Sequence, residues 1–224
     1  MTSGLAGATG IFGGTFNPVH WGHLRVAEEV REALALGRLV FVPNADPPLK
    51  RDGPEPLAPP ETRLRWVERA TADNPAFEVD ACELDREGAS YSVDTLRMFQ
   101  DRLGEPPVFL LGGDAFRELP LWWKPRELLS LTHVAVMTRP PHLPGGLGDW
   151  LAPELAEDFD WDPGGESGRH RSAGTRVVRV AVSALDVSAT DVRRRLREGR
   201  SVRYLLPPAV HDEVVASGIY GGPS

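Results

Sequence analysis

The sequence predicts an α/β fold: a Rossmann-like open parallel sheet of about six strands, with helices on both faces and a small C-terminal helical part. Three observations carry that expectation. Short apolar runs alternate with longer segments of helical period, the pattern of successive βα units. The chain of 224 residues is 41% hydrophobic and 25% charged, the balance of a globular protein with a real core. No internal repeat and no sharp composition shift divides it, so residues 1–224 are expected to form one domain.

The elements follow in order. Ala8–Phe12 is the first short apolar run and reads as a strand. Leu24–Leu36 reads as a helix because Leu24, Ala27, Val30 and Leu34 fall on one stripe. Leu39–Pro43 is a second strand, and the proline-rich Asp46–Pro60 is a loop. Thr62–Asp73 is a helix candidate and Phe77–Glu83 a strand. Val93–Leu103 is a further helix, with Ser92 placed as its N-cap. Val108–Leu111, His133–Met137 and Arg176–Val182 complete the strands. Between the last two, residues 140–174 carry glycine, proline and acidic clusters and are expected to form a surface insertion, mobile in part, with a short helix possible over Asp149–Phe159. A C-terminal helical segment, 188–219, holds Asp191–Glu198, followed by Gly199 as a C′ residue, and Pro207–Ser217.

Composition excludes some function classes. The net charge of -7 weighs against a broad nucleic-acid surface, so no nucleic-acid partner is expected. With a mean hydropathy of -0.26 and no apolar run near the length of a span, no membrane partner is expected either. Met1–Gly7 lacks the basic cluster of a signal peptide, and Cys82 is the single cysteine; both suit a reducing cytoplasm.

Chemistry shows in the first loop. The opening strand runs into Gly13-Gly14-Thr15-Phe16, then Pro18, then a helix beginning near His23. In an open parallel sheet, ligands bind beyond the carboxyl ends of strands, where glycine lets backbone N–H groups approach an anion and a helix N-terminus adds positive potential. That suits phosphate, although the spacing matches neither GxxxxGK[ST] nor GxGxxG. His20 and His23 lie three residues apart and can both donate to phosphate oxygens. Two other readings stay open for the pair: zinc ligands, although no nearby cysteine or carboxylate completes such a site, or surface and capping histidines. A second anion site lies near the C-terminus. Ser188 or Thr190 can cap the helix that follows, and Arg193 in its first turn is unfavourable there unless an anion is close. Arg193-Arg194-Arg195 reads as a basic exposed helix face, since the arginines are followed by Leu196 and Glu198.

GGTFNPVHWGHL resembles the signature of the nucleotidylyltransferase superfamily, whose mark HxGH is here His20-Trp21-Gly22-His23. Ser188-Ala189-Thr190-Asp191-Val192-Arg193 resembles its second signature, S-x-T-x-x-R. The resemblance implies in-line attack of a substrate phosphate on the ATP α-phosphate, with pyrophosphate leaving and no covalent enzyme intermediate. Further segments are similar to the bacterial nicotinate mononucleotide adenylyltransferase branch: Val42-Pro43-Asn44 through Lys50, Ser90-Tyr91-Ser92-Val93-Asp94-Thr95, and Leu110-Leu111-Gly112-Gly113-Asp114 with Leu119-Pro120-Leu121-Trp122. Leu49 stands where the family often has histidine, and Ser92 where it has threonine.

By that resemblance His20, His23, Lys50 and Arg193 are the catalytic set. Gly13, Gly14, Thr15, Phe16, Gly112, Asp114, Ser188 and Thr190 bind ATP. Asn44, Ser92, Trp122 and Arg139 bind the second substrate, with Trp122 stacking on its pyridine ring. Core packing is the other reading for Trp122, a solvated loop lysine for Lys50 and a salt bridge for Arg139. The expected reaction joins ATP and nicotinate mononucleotide into nicotinate adenine dinucleotide and pyrophosphate. Mg2+ accompanies the ATP, and no protein-held metal is expected. The alternatives are nicotinamide mononucleotide or another phosphoester as co-substrate, or a nucleotide-binding regulator without turnover. A homo-oligomer is compatible with all of these.

Overall fold

The computed structural model describes residues 4–46, 56–86, 88–139, 144–183 and 185–221. Among the described residues there are eight strands: β1 (Thr9–Gly14), β2 (Arg38–Pro43), β3 (Phe77–Val79), β4 (Val108–Gly112), β5 (His133–Thr138), β6 (Phe159–Trp161), β7 (Ser167–His170) and β8 (Arg176–Ala181). The helices are α1 (Trp21–Ala33), α2 (Pro60–Thr71), α3 (Ser92–Leu103), α4 (Gly113–Arg117), α5 (Pro125–Leu131), α6 (Pro153–Ala156), α7 (Ala189–Arg197) and α8 (Pro208–Ala216). The strand order is β3-β2-β1-β4-β5-β8-β7-β6. The order reverses at β1, the kind of position where open α/β sheets place ligands.

The fold divides into two compact units, each formed from separate stretches of chain. The first takes the described residues up to Phe12, then Glu29–Leu39 and Tyr91–Ser183. Within it β1, β4, β5 and β8 pair in parallel, with Val108↔His133 through Gly112↔Met137 and Val134↔Val177 through Thr138↔Ala181 in register. Val108, Val134, Ala135 and Val136 are fully buried, as expected of parallel strands covered on both faces. The sheet has eight strands rather than about six because 140–174, expected to be largely loop, contributes β6 and β7. These pair antiparallel, Phe159↔His170, and β7 pairs antiparallel with β8. Strands of three and four residues, separated by the turn Asp162-Pro163-Gly164-Gly165, are too short for their alternation to stand out in sequence. The expected short helix is α6, a single turn.

The second unit takes Gly13–Glu28, Val40–Ser90 and the described residues from Leu185 onward. It contains the carboxyl ends of β1 and β2, most of α1, and α2, β3, α7 and α8. Helix α1 begins at Trp21, three residues before the apolar stripe, because the carbonyl of His20 already accepts the N–H groups of His23 and Leu24. Strand β3 ends at Val79 rather than Glu83: the Asp80 carboxylate accepts the Cys82 N–H at 2.8 Å and turns the chain. In the first unit, Ser92 is the first residue of α3 and not its N-cap; Tyr91 takes the cap position without a side-chain hydrogen bond. Among the described residues no helix is long and apolar enough to cross a membrane.

Candidate functional site

Within the second unit the end of β1 leads into a loop shaped by one inward-turned ring. Phe16 is 2% exposed and left-handed at φ 47°, a conformation that costs energy in a bulky residue and persists where its surroundings impose it. Its ring meets His23 edge-on at 5.1 Å and packs against Phe41 at 5.8 Å. A Cβ on Gly14 would lie 2.9 Å from that ring, so glycine is required there by packing. The side chain of Phe16 is therefore part of the core, which leaves its backbone for any contact with nucleotide.

His20 and His23 are brought face to face at the start of α1, with ring centroids 3.7 Å apart and planes 27° from parallel. His23 Nδ1 accepts the backbone N–H of His20 at 3.2 Å, so in the neutral ring the His23 proton sits on Nε2. A Cβ on Gly22 would meet His20 Nδ1 at 2.9 Å and the Val187 carbonyl at 3.3 Å, so this glycine lets the segment before α7 close on the histidine motif. Among the described residues no cluster of three or more metal-ligating side chains is found.

Helix α7 is capped by Ser188, whose hydroxyl accepts the Asp191 N–H at 3.1 Å. Because α7 starts at Ala189, Arg193 stands in its second turn rather than the first, and from there it donates to the carbonyl of Asn17 at 2.7 Å and to Thr190 Oγ1 at 3.1 Å. The second signature thus meets the loop of the first. Arg194 and Arg195 point elsewhere: they pair with Asp191 of their own helix, and Arg194 also with Glu198, forming a self-compensated face.

Asn44, beyond β2, donates through Nδ2 to Thr15 Oγ1 at 3.4 Å, while its N–H bonds the Gly14 carbonyl at 3.0 Å. Lys50 lies outside the described residues, as do Pro47, Pro48 and Leu49. The second unit therefore holds Gly13, Gly14, Thr15, Phe16, His20, His23, Asn44, Ser188, Thr190 and Arg193 on connected loops and helix starts.

Three residues that the sequence reading passed over organise this region. Asn17 accepts at Oδ1 from the Ala58 N–H at 3.0 Å and from the Tyr220 hydroxyl, and donates to the Pro56 carbonyl at 3.0 Å. Tyr220 is 2% exposed, and burial pushes its phenol well above the usual range. Arg63, in α2, is fully buried. It donates to the carbonyls of Ala58, Thr15 and Ala45 at 2.9, 2.8 and 3.1 Å and to Asn44 Oδ1 at 3.4 Å. Burial lowers its guanidinium pKa. A signal for it was present, since Arg63, Trp66, Val67 and Ala70 are an i, i+3, i+4, i+7 stripe with an arginine in a core position. Tyr220 follows the last helix and shows no such signal.

Within the first unit Gly112 ends β4 and a Cβ there would meet open space; Asp114 is exposed in the first turn of α4. Trp122 is half-buried, its ring edge-on to Phe109 at 6.4 Å, and its Nε1–H is shielded from solvent without a hydrogen-bond acceptor. Both a packing face and an uncommitted donor are present. Trp123 beside it is 56% exposed and tilts on Tyr91 at 5.8 Å. Arg97 bridges Asp94 and Glu127, tying α3 to α5 below Ser92. Arg139 is exposed beyond β5.

Residues 11–195 match the cytidylyltransferase-like family. A Halorhodospira halophila protein named "Probable nicotinate-nucleotide adenylyltransferase" is 47% identical over 215 residues, covering 96% of this chain and 95% of its own. A Roseiflexus protein of the same name is 41% identical, covering 94% of this chain and 96% of its own. The solved structure of Plasmodium falciparum nicotinic acid mononucleotide adenylyltransferase complexed with NaAD aligns with a TM-score of 0.68 over 95% of this chain and 96% of that one. At 12% identity, that last likeness speaks for the fold. The chain belongs to the cytidylyltransferase-like family, on its bacterial nicotinate mononucleotide adenylyltransferase branch.

Proposed function

We propose that this protein is an adenylyltransferase that joins ATP and nicotinate mononucleotide to give nicotinate adenine dinucleotide and pyrophosphate, a step of NAD biosynthesis. The observation that carries the reading is the stacked His20–His23 pair sharing one loop with Arg193, in a chain 47% identical to a protein of that name. A phosphate oxygen of nicotinate mononucleotide attacks the α-phosphorus of ATP; the bond from that phosphorus to the β-phosphate oxygen breaks, and pyrophosphate leaves with the electron pair. No nucleophile from the protein is needed.

The protein's work in such a step is alignment and charge stabilisation. His23, with its proton on Nε2, and His20 beside it donate to the phosphate oxygens on which charge builds. Arg193 adds a fixed positive charge, and Ser188 and Thr190 place hydroxyls at the same helix start. Lys50 is assigned by resemblance to the phosphates. ATP enters as its Mg2+ complex, so the ion is part of the substrate and offsets triphosphate charge without a dedicated carboxylate cage. Asn44, Ser92, Trp122 and Arg139 are assigned to the pyridine nucleotide, Trp122 through its ring face and Nε1–H, and Arg139 through its charge.

The deciding experiment measures pyrophosphate release from ATP with nicotinate mononucleotide and, separately, with nicotinamide mononucleotide. A clear preference for the acid is expected; equal or reversed rates would remove the acid assignment, and no release with either would remove the activity.

A further inference from the structure

Arg63 carries more than a structural connector needs. Its side chain is fully buried, yet all four of its hydrogen-bond acceptors are neutral: three backbone carbonyls and the Asn44 amide. Among the described residues no carboxylate forms an ion pair with it; Tyr220, Glu61 and the buried Glu83 act on it only through their fields. Burying a cation without a partner is costly, and a neutral donor would satisfy the same carbonyls at a lower desolvation cost. The charge itself therefore calls for a counterpart. One acceptor, the Thr15 carbonyl, belongs to the loop that carries Gly13 and Gly14; another, Asn44 Oδ1, belongs to the loop after β2. Asn44 in turn donates to Thr15 Oγ1. The guanidinium fork thus closes a triangle of Arg63, Thr15 and Asn44 from beneath.

We propose that Arg63 is a positioning residue of the transfer reaction: it holds Thr15 and Asn44 in one fixed relation, and its buried charge is balanced by the phosphates of the bound nucleotide. The proposal rests on the adenylyl-transfer reading above and adds the groups that arrange its two loops. The planar fork matters separately from the charge, because lysine supplies a point charge without the divergent donors.

The test titrates Mg-ATP and, separately, adenosine against the wild-type protein, Arg63→Met and Arg63→Lys, and measures turnover for each. Adenosine lacks phosphate, so the ratio of the two affinities isolates the charge from general loss of structure. Arg63→Met is expected to lower the ATP-to-adenosine ratio by about tenfold or more. Arg63→Lys is expected to keep that ratio within about threefold yet lower kcat by about tenfold or more. An unchanged ratio in Arg63→Met overturns the charge assignment, and a wild-type kcat in Arg63→Lys overturns the positioning role. Arg63→Gln, which is neutral but hydrogen-bonding, replaces Arg63→Met if that variant does not fold. If the wild-type protein releases no pyrophosphate from ATP and nicotinate mononucleotide, the reaction assignment fails, and the affinity ratio still decides whether Arg63 answers to phosphate.

Discussion

Arg193 donates to the backbone carbonyl of Asn17 at 2.7 Å, joining residues 176 positions apart in the chain. Its other terminal nitrogen bonds Thr190 Oγ1, so the guanidinium is aimed by both the loop and its own helix. An arginine aimed in this way loses little further conformational freedom when phosphate arrives.

Arg193→Lys is accordingly expected to behave as a functional lesion. Lysine keeps the charge but cannot bond Asn17 and Thr190 while also facing a ligand. We expect kcat/KM for ATP to fall by about 10- to 100-fold with little change in Tm, because the side chain lies outside the core. Steady-state kinetics beside a thermal melt separate the two; a drop in Tm matching the activity loss would make Arg193 a structural residue.

His20→Ala and His23→Ala are each expected to lower turnover by about 10²- to 10³-fold while leaving the protein folded. Because the rings stack on each other, the double variant is expected to lose much less than the product of the single losses. Multiplicative losses would show that the histidines act independently.

Gly22→Ala tests the close approach of α1 and the segment before α7. The new methyl group meets a backbone carbonyl at 3.3 Å, which cannot turn aside, and the His20 ring at 2.9 Å, which can. The ring yields first, so a fall in kcat by about tenfold is expected to exceed the effect on stability, about 1–2 kcal/mol by urea unfolding. Native kcat in this variant would mean that the position of His20 is not critical.

Much of the site could be read from sequence because its parts are contiguous: Gly13 through His23 and Ser188 through Arg193 are each a strand exit or helix start with local chemistry. The βα rhythm was legible for the same reason, since helix period and apolar runs are local patterns. Whatever depends on distant partners was not. Asn17 falls inside the loop motif, yet its bonds run to Pro56, Ala58 and Tyr220, which no local pattern connects. Strands β6 and β7 were hidden because Phe159–Trp161 and Ser167–His170 are too short to show a period. Ser92 failed as an N-cap because the preceding Tyr91 already has extended backbone and takes the cap position. The hydroxyl of Ser90 is engaged nearby, accepting the Ala45 and Asp46 N–H groups.

Tyr220→Phe removes one hydroxyl from Asn17 and leaves the ring packed beside Trp66. Asn17 Oδ1 keeps its bond from Ala58, so no buried acceptor is orphaned and the loss of stability should be modest, about 1 kcal/mol. The KM for ATP is expected to rise a few-fold, since the same Asn17 receives Arg193. A destabilised variant with unaltered KM would confine Tyr220 to a stabilising role.

His133 gives the fold a pH dependence that does not arise from the site. At the start of β5 its Nδ1 accepts the Arg176 N–H at 2.9 Å, and burial, with Arg176 nearby, pushes its pKa from 6.5 down to about 4. The unfolded chain takes up this proton near pH 6.5, whereas the folded chain resists it until about pH 4. Between those values the unfolded state binds more protons, so stability is fully present above pH 6.5 and is lost progressively as the pH falls toward 4. Because the ring is only partly buried, the loss is on the order of 1–2 kcal/mol, less than the full shift would give. His133→Asn keeps an acceptor for the Arg176 N–H without a titrating ring, and its urea midpoint should vary less between pH 7 and pH 5 than that of the wild-type protein. Equal slopes in the two proteins would assign the acid sensitivity to other groups.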